Sequence, residues 1–184
     1  MSFGSILLGA LIAGVISTGS IIGITFLGTL VPWWAILLIS IGGLLIGGFV
    51  GGVVAKGAGS GALAGLFSGL LVFLGVFLFT WLYYKAQILA LISSASDVDT
   101  LVSNFLSLVG IQSGTEIYNT IYNWITTNAP TINDVEDFVN SKFVFFALII
   151  GAIFGALASV VSLFAGLIGG LITRKKEESY DSYY

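Results

Sequence analysis

The clearest candidates for chemistry in this chain are three neighbouring carboxylates, Asp134, Glu136 and Asp137. Clustered acids can attract a cation, but this group lacks the glycine turn and the regular ligand spacing of a calcium loop. We therefore expect the three acids to form the solvated start of a helix, where negative charge interacts favourably with the helix dipole. No metal ion or other cofactor is predicted.

Enzymatic chemistry is restricted further by two missing residue types. The sequence contains no cysteine and no histidine, which excludes disulfides, thiol nucleophiles, histidine metal sites and a serine–histidine–aspartate triad. An intramembrane protease would need a general base or paired carboxylates inside an apolar segment, and these segments contain neither. The net charge of −3 does not favour nucleic acid as a partner. The sequence thus predicts a protein that is not an enzyme and binds no nucleic acid.

Hydroxyl side chains inside the apolar segments are the remaining polar candidates, because they could line a passage for a solute. They are Ser17, Thr18, Ser20, Thr25, Ser159 and Ser162. Serine and threonine in helices often bond carbonyl groups of their own helix instead, and we expect that arrangement here. The absence of charged residues from these segments argues against a proton-coupled or voltage-sensing machine.

Four long uncharged segments carry these residues: 3–31, 33–55, 60–84 and 143–173. Only 8% of the residues are charged, against about 25% in soluble domains. Each segment has the roughly 20 residues that a helix needs to cross the hydrocarbon core. The sequence therefore predicts an all-α integral membrane protein with four transmembrane helices, in contact with the lipid bilayer. The first segment exceeds a signal-peptide core in length, so we expect it to be retained.

The predicted organisation follows from these spans. Residues 1–84 contain transmembrane helices 1 to 3, residues 85–141 form a loop, residues 142–173 form transmembrane helix 4, and residues 174–184 form a polar, flexible tail. Pro32 is expected in a tight turn between the first two spans, because it lacks an amide proton and disfavours helical angles at the residue before it.

Cations beside the spans predict the orientation. They are Lys56, Arg174, Lys175 and Lys176. Because cytoplasmic loops carry an excess of Lys and Arg, both termini are predicted on the cytoplasmic side of the cell membrane. The aromatic residues that flank the spans then share the outer interface, where such rings are enriched. They are Trp33, Trp34, Trp81, Tyr83, Tyr84 and Phe143.

The loop 85–141 is predicted to be extracytoplasmic and to contain amphipathic helices. Helical spacing of apolar residues indicates helices over about 98–109, 115–126 and 133–140. Ser96 is expected to cap the first of them, and Trp124 to lie at the membrane interface. The loop either covers the bundle and the bilayer surface as a lid or offers a surface to a partner.

Small residues recur every fourth position along the apolar segments, a pattern called GxxxG or a glycine zipper. Glycine costs a helix interior about 1 kcal/mol relative to alanine, but it allows close backbone packing in hydrocarbon. The predicted packing positions are Gly43, Gly47, Gly51, Gly61, Gly65, Gly69, Gly151, Gly155, Gly166 and Gly170. Such rows serve packing within one chain, which is the common case, or a pore, a sliding interface or an oligomer seam.

A hairpin centred on Lys56 would place the glycines of the second and third segments at equal distances from the turn. We therefore expect these glycines to face each other in the pairs Gly51 with Gly61, Gly47 with Gly65, and Gly43 with Gly69. Gly57 and Gly59 are expected in the turn itself, with Ser60 as the N-cap of the third helix.

The hairpin sequence over residues 41–73 resembles an uncharacterised archaeal family of small, four-span, glycine-rich membrane proteins. The residues that carry the resemblance are Gly47, Gly48, Gly51, Gly61, Ala62 and Gly65. The resemblance implies the topology, and the family has no established activity to transfer.

The function that these features favour is that of a structural or accessory membrane component without enzymatic activity, with self-association or other membrane proteins as partners. A channel or an uncoupled transporter of small solutes is the alternative. A third possibility is a membrane-shaping or perforating protein carried by a virus or mobile element.

Overall fold

The computed structural model describes residues 3–27, 32–108 and 111–181. Within these ranges the regular secondary structure is entirely helical. Four helices are long and apolar enough to cross a membrane, and they are Phe3–Leu27, Trp34–Ala55, Ala58–Ser94 and Ile132–Thr173. The predicted class, an all-α integral membrane protein with four transmembrane helices, is confirmed.

The helices follow one another along the chain with short connections. They are α1 (Phe3–Leu27), α2 (Trp33–Ala55), α3 (Ala58–Phe79), a π-helical segment (Thr80–Tyr84), α4 (Lys85–Ser94), α5 (Val98–Leu108), α6 (Glu116–Asn128) and α7 (Ile132–Asp181). Pro32 precedes α2, and its carbonyl oxygen accepts hydrogen bonds from the amides of Ala35 and Ile36. The predicted end of the first helix, at residue 31, lies outside the described residues.

The third span is longer than predicted at both ends. It begins at Ala58 and continues through the π-helical segment into α4, which ends at Ser94 rather than at residue 84. No glycine or proline interrupts the sequence between residues 76 and 94, so nothing in the backbone chemistry ends the helix at the aromatic residues.

The fourth span belongs to one helix of 50 residues, α7. Helix α7 contains, without interruption, the predicted short helix 133–140, the predicted span and the first part of the predicted tail. Residues 174–181 are helical, so the flexible tail was the wrong prediction there, and residues 182–184 lie outside the described part of the chain. Lys, Arg and Glu are good helix formers, which explains the continuation past the apolar run.

The turn between α2 and α3 is tighter than predicted. Lys56 and Gly57 have positive φ angles of 53° and 96°, so the left-handed turn occupies these two residues. Gly59 lies inside the first turn of α3. Ser60 is also inside α3, where its side chain is buried, so it does not act as the N-cap.

Contacts divide the chain into two units. One comprises Met1–Leu78 with Leu148–Tyr184, and we call it the bundle unit. The other, Phe79–Ala147, contains the π-helical segment, α4, α5, α6 and the start of α7, and we call it the helical unit. The predicted loop 85–141 therefore belongs to a larger folded unit.

The helical unit has its own apolar core. One buried cluster joins α4, α5 and α7 through Ile92, Leu101 and Val139. A second cluster contains the α5 residues Val98, Val102 and Leu106, packed against side chains of α6 and α7. The amphipathic spacing in the sequence thus identified the buried face of α5, because apolar residues at helical intervals share one side.

Polar contacts fix the ends and the pairing of these helices. The amide of Tyr118 donates to Thr115 Oγ1 at the start of α6. Between helices, Tyr122 Oη donates to Asp99 Oδ1 at 2.5 Å. This hydrogen bond to a carboxylate raises the pKa of Tyr122, because ionising the phenol would remove the donor.

Asp97, not Ser96, is the N-cap of α5. Its Oδ1 atom accepts a hydrogen bond of 2.7 Å from the amide of Thr100, while Ser96 Oγ donates to the other carboxylate oxygen. The backbone hydrogen bond from Thr100 holds the pKa of Asp97 below its usual value of 3.8. An acidic residue followed by a helical run is a common N-cap, and it competes here with the neighbouring serine.

We expect the α5 cap to weaken in acid. Its contribution to stability is complete above the unfolded pKa of about 3.9 and is lost as the pH falls through the lower pKa of folded Asp97. An NMR titration of the Asp97 carboxyl carbon should give a midpoint below 3.8. In the variant Asp97→Asn the side chain still caps α5 but cannot ionise. The NMR signals of α5 in this variant should therefore show no transition in the acid pH range. A wild-type midpoint at or above 3.8 would contradict the assignment.

Candidate functional site

Two features of the structure bear on function, the glycine contacts of the bundle unit and an apolar cleft in the helical unit. Among the glycine contacts, one row of glycines on α2 packs on α1. It consists of Gly43, Gly47 and Gly51. A Cβ atom at Gly51 would lie 2.8 Å from Ala13 Cβ, and one at Gly47 would lie 2.8 Å from the Ala13 carbonyl oxygen. Glycine is needed at both positions because a side chain would overlap α1.

A second row on α2 packs on α7. A Cβ atom at Gly48 would lie 2.6 Å from Ser162 Cα, and one at Gly52 would lie 2.7 Å from Gly166 Cα. The row of α3 packs on the same stretch of α7: a Cβ atom at Gly65 would lie 2.5 Å from the Ser162 carbonyl carbon.

The predicted pairing of the hairpin glycines is wrong. The nearest atoms to Gly43, Gly47 and Gly51 belong to α1, and the nearest to Gly65 and Gly69 belong to α7. Near the turn α3 does approach α2, since a Cβ atom at Gly61 would lie 3.1 Å from Gly52 Cα. Equal distance from the turn fixes the height of a residue along a hairpin but not the direction in which it points.

The predicted packing glycines of α7 lie against α3 and the α2–α3 turn. A Cβ atom at Gly155 would lie 2.7 Å from Phe73 Cβ, and one at Gly151 would lie 2.9 Å from Phe77 Cβ. The atoms nearest to Gly166 and Gly170 are the carbonyl oxygens of Gly61 and Gly57. All the predicted packing positions thus have close neighbours, but the helix pairs differ from the prediction.

Several hydroxyls of the bundle unit bind backbone carbonyls. Ser162 Oγ donates to the Leu44 carbonyl and Ser159 Oγ to the Leu66 carbonyl, each at 3.2 Å, so both link α7 to another helix. Ser20 Oγ donates to Ile16 within α1 at 2.9 Å. Ser17 and Ser60 are buried, and their hydroxyls form no hydrogen bond with the described residues.

The remaining hydroxyl candidates of α1 differ from these. Thr18 packs against Gly75 of α3, where a Cβ atom would lie 3.4 Å from Thr18 Cβ. Thr25 is half-buried. The predicted preference for bonds within the same helix therefore holds for Ser20 but not for Ser159 or Ser162.

One end of the bundle unit brings together the start of α1, the α2–α3 turn and α7. Ser5 Oγ donates to the Ala55 carbonyl at 3.3 Å, and the amide of Gly57 donates to Thr173 Oγ1 at 3.4 Å. Lys56 therefore lies in the turn that contacts α7 just before Arg174. Lys175 and Lys176 follow in the same helix, and nothing is described of the side chains from residue 174 onward.

Aromatic residues concentrate at the π-helical segment. Phe79 stacks on Tyr83 with ring centroids 4.9 Å apart, and Tyr83 meets Tyr84 edge to face at 5.5 Å. Trp81 lies in the same turn. Trp34, at the start of α2, is 54% exposed. Trp33 also lies in α2, but its side chain is outside the described part.

The apolar cleft of the helical unit has a volume of about 270 Å³. Its walls come from four helices: α4 contributes Ile88 and Leu91, α5 contributes Phe105, and α6 contributes Ile121 and Ile125. From α7 come Phe138, Phe143 and Phe146. Asn128 is the one polar residue among those that line this cleft. Trp124 lines it as well and is 54% exposed, so the cleft has an open edge.

Sequence reasoning missed this cleft. The signal that could have found it is the number of apolar residues on α6 and on the start of α7, which is larger than a set of short helices can bury. Spacing alone does not reveal whether such faces fill one another or leave a cavity between them.

The acidic cluster is part of the start of α7. The amide of Thr131 donates to Asp134 Oδ2 at 3.0 Å, and the amide of Asp134 donates to Thr131 Oγ1 at 3.2 Å. This reciprocal arrangement resembles a capping box. Glu136 and Asp137 are exposed. The geometry commits one of the three carboxylates to helix capping.

The comparisons with known proteins give no further assignment. No protein-family model matches the chain, and neither a curated protein nor a solved structure is significantly similar to it.

Proposed function

We propose that the chain is a multi-pass membrane scaffold without enzymatic activity, a structural or accessory component that holds the helical unit at the membrane. The observation that supports this role best is the filled interior of the bundle unit. Gly48, Gly52 and Gly65 lie against the backbone of α7 around Ser162 and Gly166. A glycine zipper of this kind favours rigid packing over a water-filled passage.

The absence of histidine and cysteine supports a non-enzymatic role, because few other side chains act as general bases near neutral pH. Ser159 and Ser162 bind backbone carbonyls, and the Ser17 hydroxyl lies against Gly47, so none of these three serines meets a base.

For orientation, we propose that the end of the bundle unit with Lys56 and Arg174 faces the cytoplasm. Clustered cations next to a span favour that side. The helical unit is then extracytoplasmic, with Trp81, Tyr83 and Tyr84 at the outer interface. The many exposed apolar side chains on the bundle helices can contact lipid or a second copy of the chain.

A channel or an uncoupled transporter of small solutes is the second candidate. It is favoured by Ser17 and Ser60, whose buried hydroxyls form no hydrogen bond with the described residues. An unpaired buried hydroxyl is costly, and a water molecule or a polar solute would satisfy it.

Flux across reconstituted vesicles distinguishes the two candidates. For a scaffold we expect the release of trapped ions and small neutral solutes to match that of protein-free vesicles, with an added pore-forming peptide as the positive control. Reproducible, solute-selective flux that is reduced in Ser17→Ala would instead establish the channel. Mass measurement of the native complex would then separate a single copy or partner complex from a ring.

A further inference from the structure

The apolar cleft is too large and too open to be a packing defect of the helical unit. Its volume of about 270 Å³ is well above the roughly 150 Å³ of a buried cavity that binds benzene. It is also below the roughly 300–1,000 Å³ of pockets that enclose a whole drug-sized ligand. We propose that the cleft binds one alkyl chain of a bilayer lipid, with the lipid headgroup outside it.

The residues that line the cleft favour a hydrocarbon ligand and provide no binding partner for an ionic group. No charged side chain lines the cleft, and the one polar residue, Asn128, uses its side-chain amide to donate to the Trp124 carbonyl at 2.7 Å. Aromatic rings of Phe105, Phe138 and Phe143 supply broad apolar surfaces instead. An alkyl chain gains by leaving water for such a surface in proportion to the area it buries.

The position of the lining residues along the chain indicates where the alkyl chain comes from. Phe143 and Phe146 line the cleft and also belong to the uncharged run 143–173, which the sequence predicts as the fourth span. Phe146 is 46% exposed and Trp124 is 54% exposed, so the cleft is accessible at its edge. Part of its wall is therefore continuous with a helix that the bilayer surrounds, where lipid chains are abundant.

The net charge of the helical unit indicates which lipid headgroup allows the tightest binding. Residues 79–147 contain Lys85 and Lys142 against six acids, which gives a net charge of −4. The acids are Asp97, Asp99, Glu116, Asp134, Glu136 and Asp137. A negative field repels an anionic headgroup, so we expect a zwitterionic lipid such as phosphatidylcholine to bind better than phosphatidylglycerol.

The direct test uses the full chain in detergent micelles and phosphatidylcholine with a photoreactive diazirine at the end of one acyl chain. After illumination, mass spectrometry locates the labelled residues. We expect saturable labelling on α5 and α6, at Phe105, Ile121 or Ile125. Labelling confined to outward-facing residues of the bundle unit, such as Leu157 and Phe164, would overturn the proposal. If a protein segment or a second copy of the chain covers the cleft instead of a lipid, the residues that line it should likewise remain unlabelled, and this result would also overturn the proposal.

Two tryptophan substitutions on α6 provide a matched pair. Ile121 lines the cleft, whereas Ile117 is one turn away on the same helix, is 63% exposed and does not line it. We expect Ile121→Trp to reduce cleft labelling by about tenfold by excluding methylene groups of the chain, and Ile117→Trp to leave it unchanged. Circular dichroism and elution volume check the fold of each variant, and Leu91→Trp on α4 fills the cleft from another wall. Unchanged labelling in folded Ile121→Trp would contradict the proposal.

Competition identifies the source of the alkyl chain. Unlabelled phosphatidylcholine should displace the probe more effectively than phosphatidylglycerol or free palmitate. Displacement by palmitate at lower concentration than by phosphatidylcholine would overturn the assignment to a bilayer lipid. Because this readout is independent of solute flux, it can succeed or fail separately from the scaffold role.

Discussion

Replacing Gly48 with alanine is expected to destabilise the bundle unit by about 3 kcal/mol, the upper part of the usual range for overpacking. The new Cβ atom would lie 2.6 Å from Ser162 Cα and 2.7 Å from the Ser162 carbonyl oxygen. Both are backbone atoms, so a change of side-chain rotamer cannot relieve the overlap. The two helices must separate, and the hydrogen bond from Ser162 Oγ to the Leu44 carbonyl lengthens with them.

Gly42 provides the control on the same helix. A Cβ atom there would meet nothing within 4 Å, so Gly42→Ala should keep or slightly raise stability, because alanine is the better helix former. Reversible unfolding in mixed micelles with increasing dodecyl sulfate measures both variants against the wild type. Equal stability of the two variants would show that α2 and α7 do not pack at Gly48.

The variant Leu106→Ala should destabilise the helical unit by about 3 kcal/mol, in the middle of the range for a buried leucine. Leu106 is fully buried and belongs to a cluster with Val98 and Val102 on α5. Removing its side chain leaves a cavity between α5 and its neighbours, and the surrounding helices can close it only in part.

Hydrogen exchange measures this effect within each unit. Amides of α5 and α6 should lose protection in Leu106→Ala, while those at the centre of α2 should not. Ile117→Ala is the control, because Ile117 lies on α6 with 63% of its surface exposed. Equal protection of α5 in Leu106→Ala and Ile117→Ala would be incompatible with an independent core in the helical unit.

The spans were predictable because their signal is local and strong. An uncharged run of about 20 residues has few alternatives to a membrane helix, so α2 was predicted with the same ends that the structure has. Helix ends elsewhere depend on capping and turn chemistry. Asp97 rather than Ser96 caps α5, and Lys56 rather than Gly59 adopts the positive φ angle.

Glycine pairing was not predictable from spacing. Adjacent residues of a helix point about 100° apart, so Gly47 and Gly48 face different neighbours, α1 and α7. A helix with two glycine rows therefore packs on two other helices. The order of the helices along the chain does not reveal which two they are. The apolar cleft was missed for a related reason, since it depends on the gap between four helices rather than on any one of them.

The most direct measurement of the packed bundle is a disulfide between Thr18→Cys on α1 and Gly75→Cys on α3. Their Cβ atoms would be 3.4 Å apart, close to the roughly 3.5–4.5 Å of a disulfide, and the chain has no other cysteine to compete. In native membranes, mild oxidation should convert the double variant into a faster-migrating, intramolecularly bridged monomer. The pair Gly19→Cys and Gly75→Cys should form this bridge far less, because Gly19 is exposed and points about 100° away from Thr18 around α1. Absence of the bridge in the first pair, or equal bridging in both, would contradict the closely packed bundle.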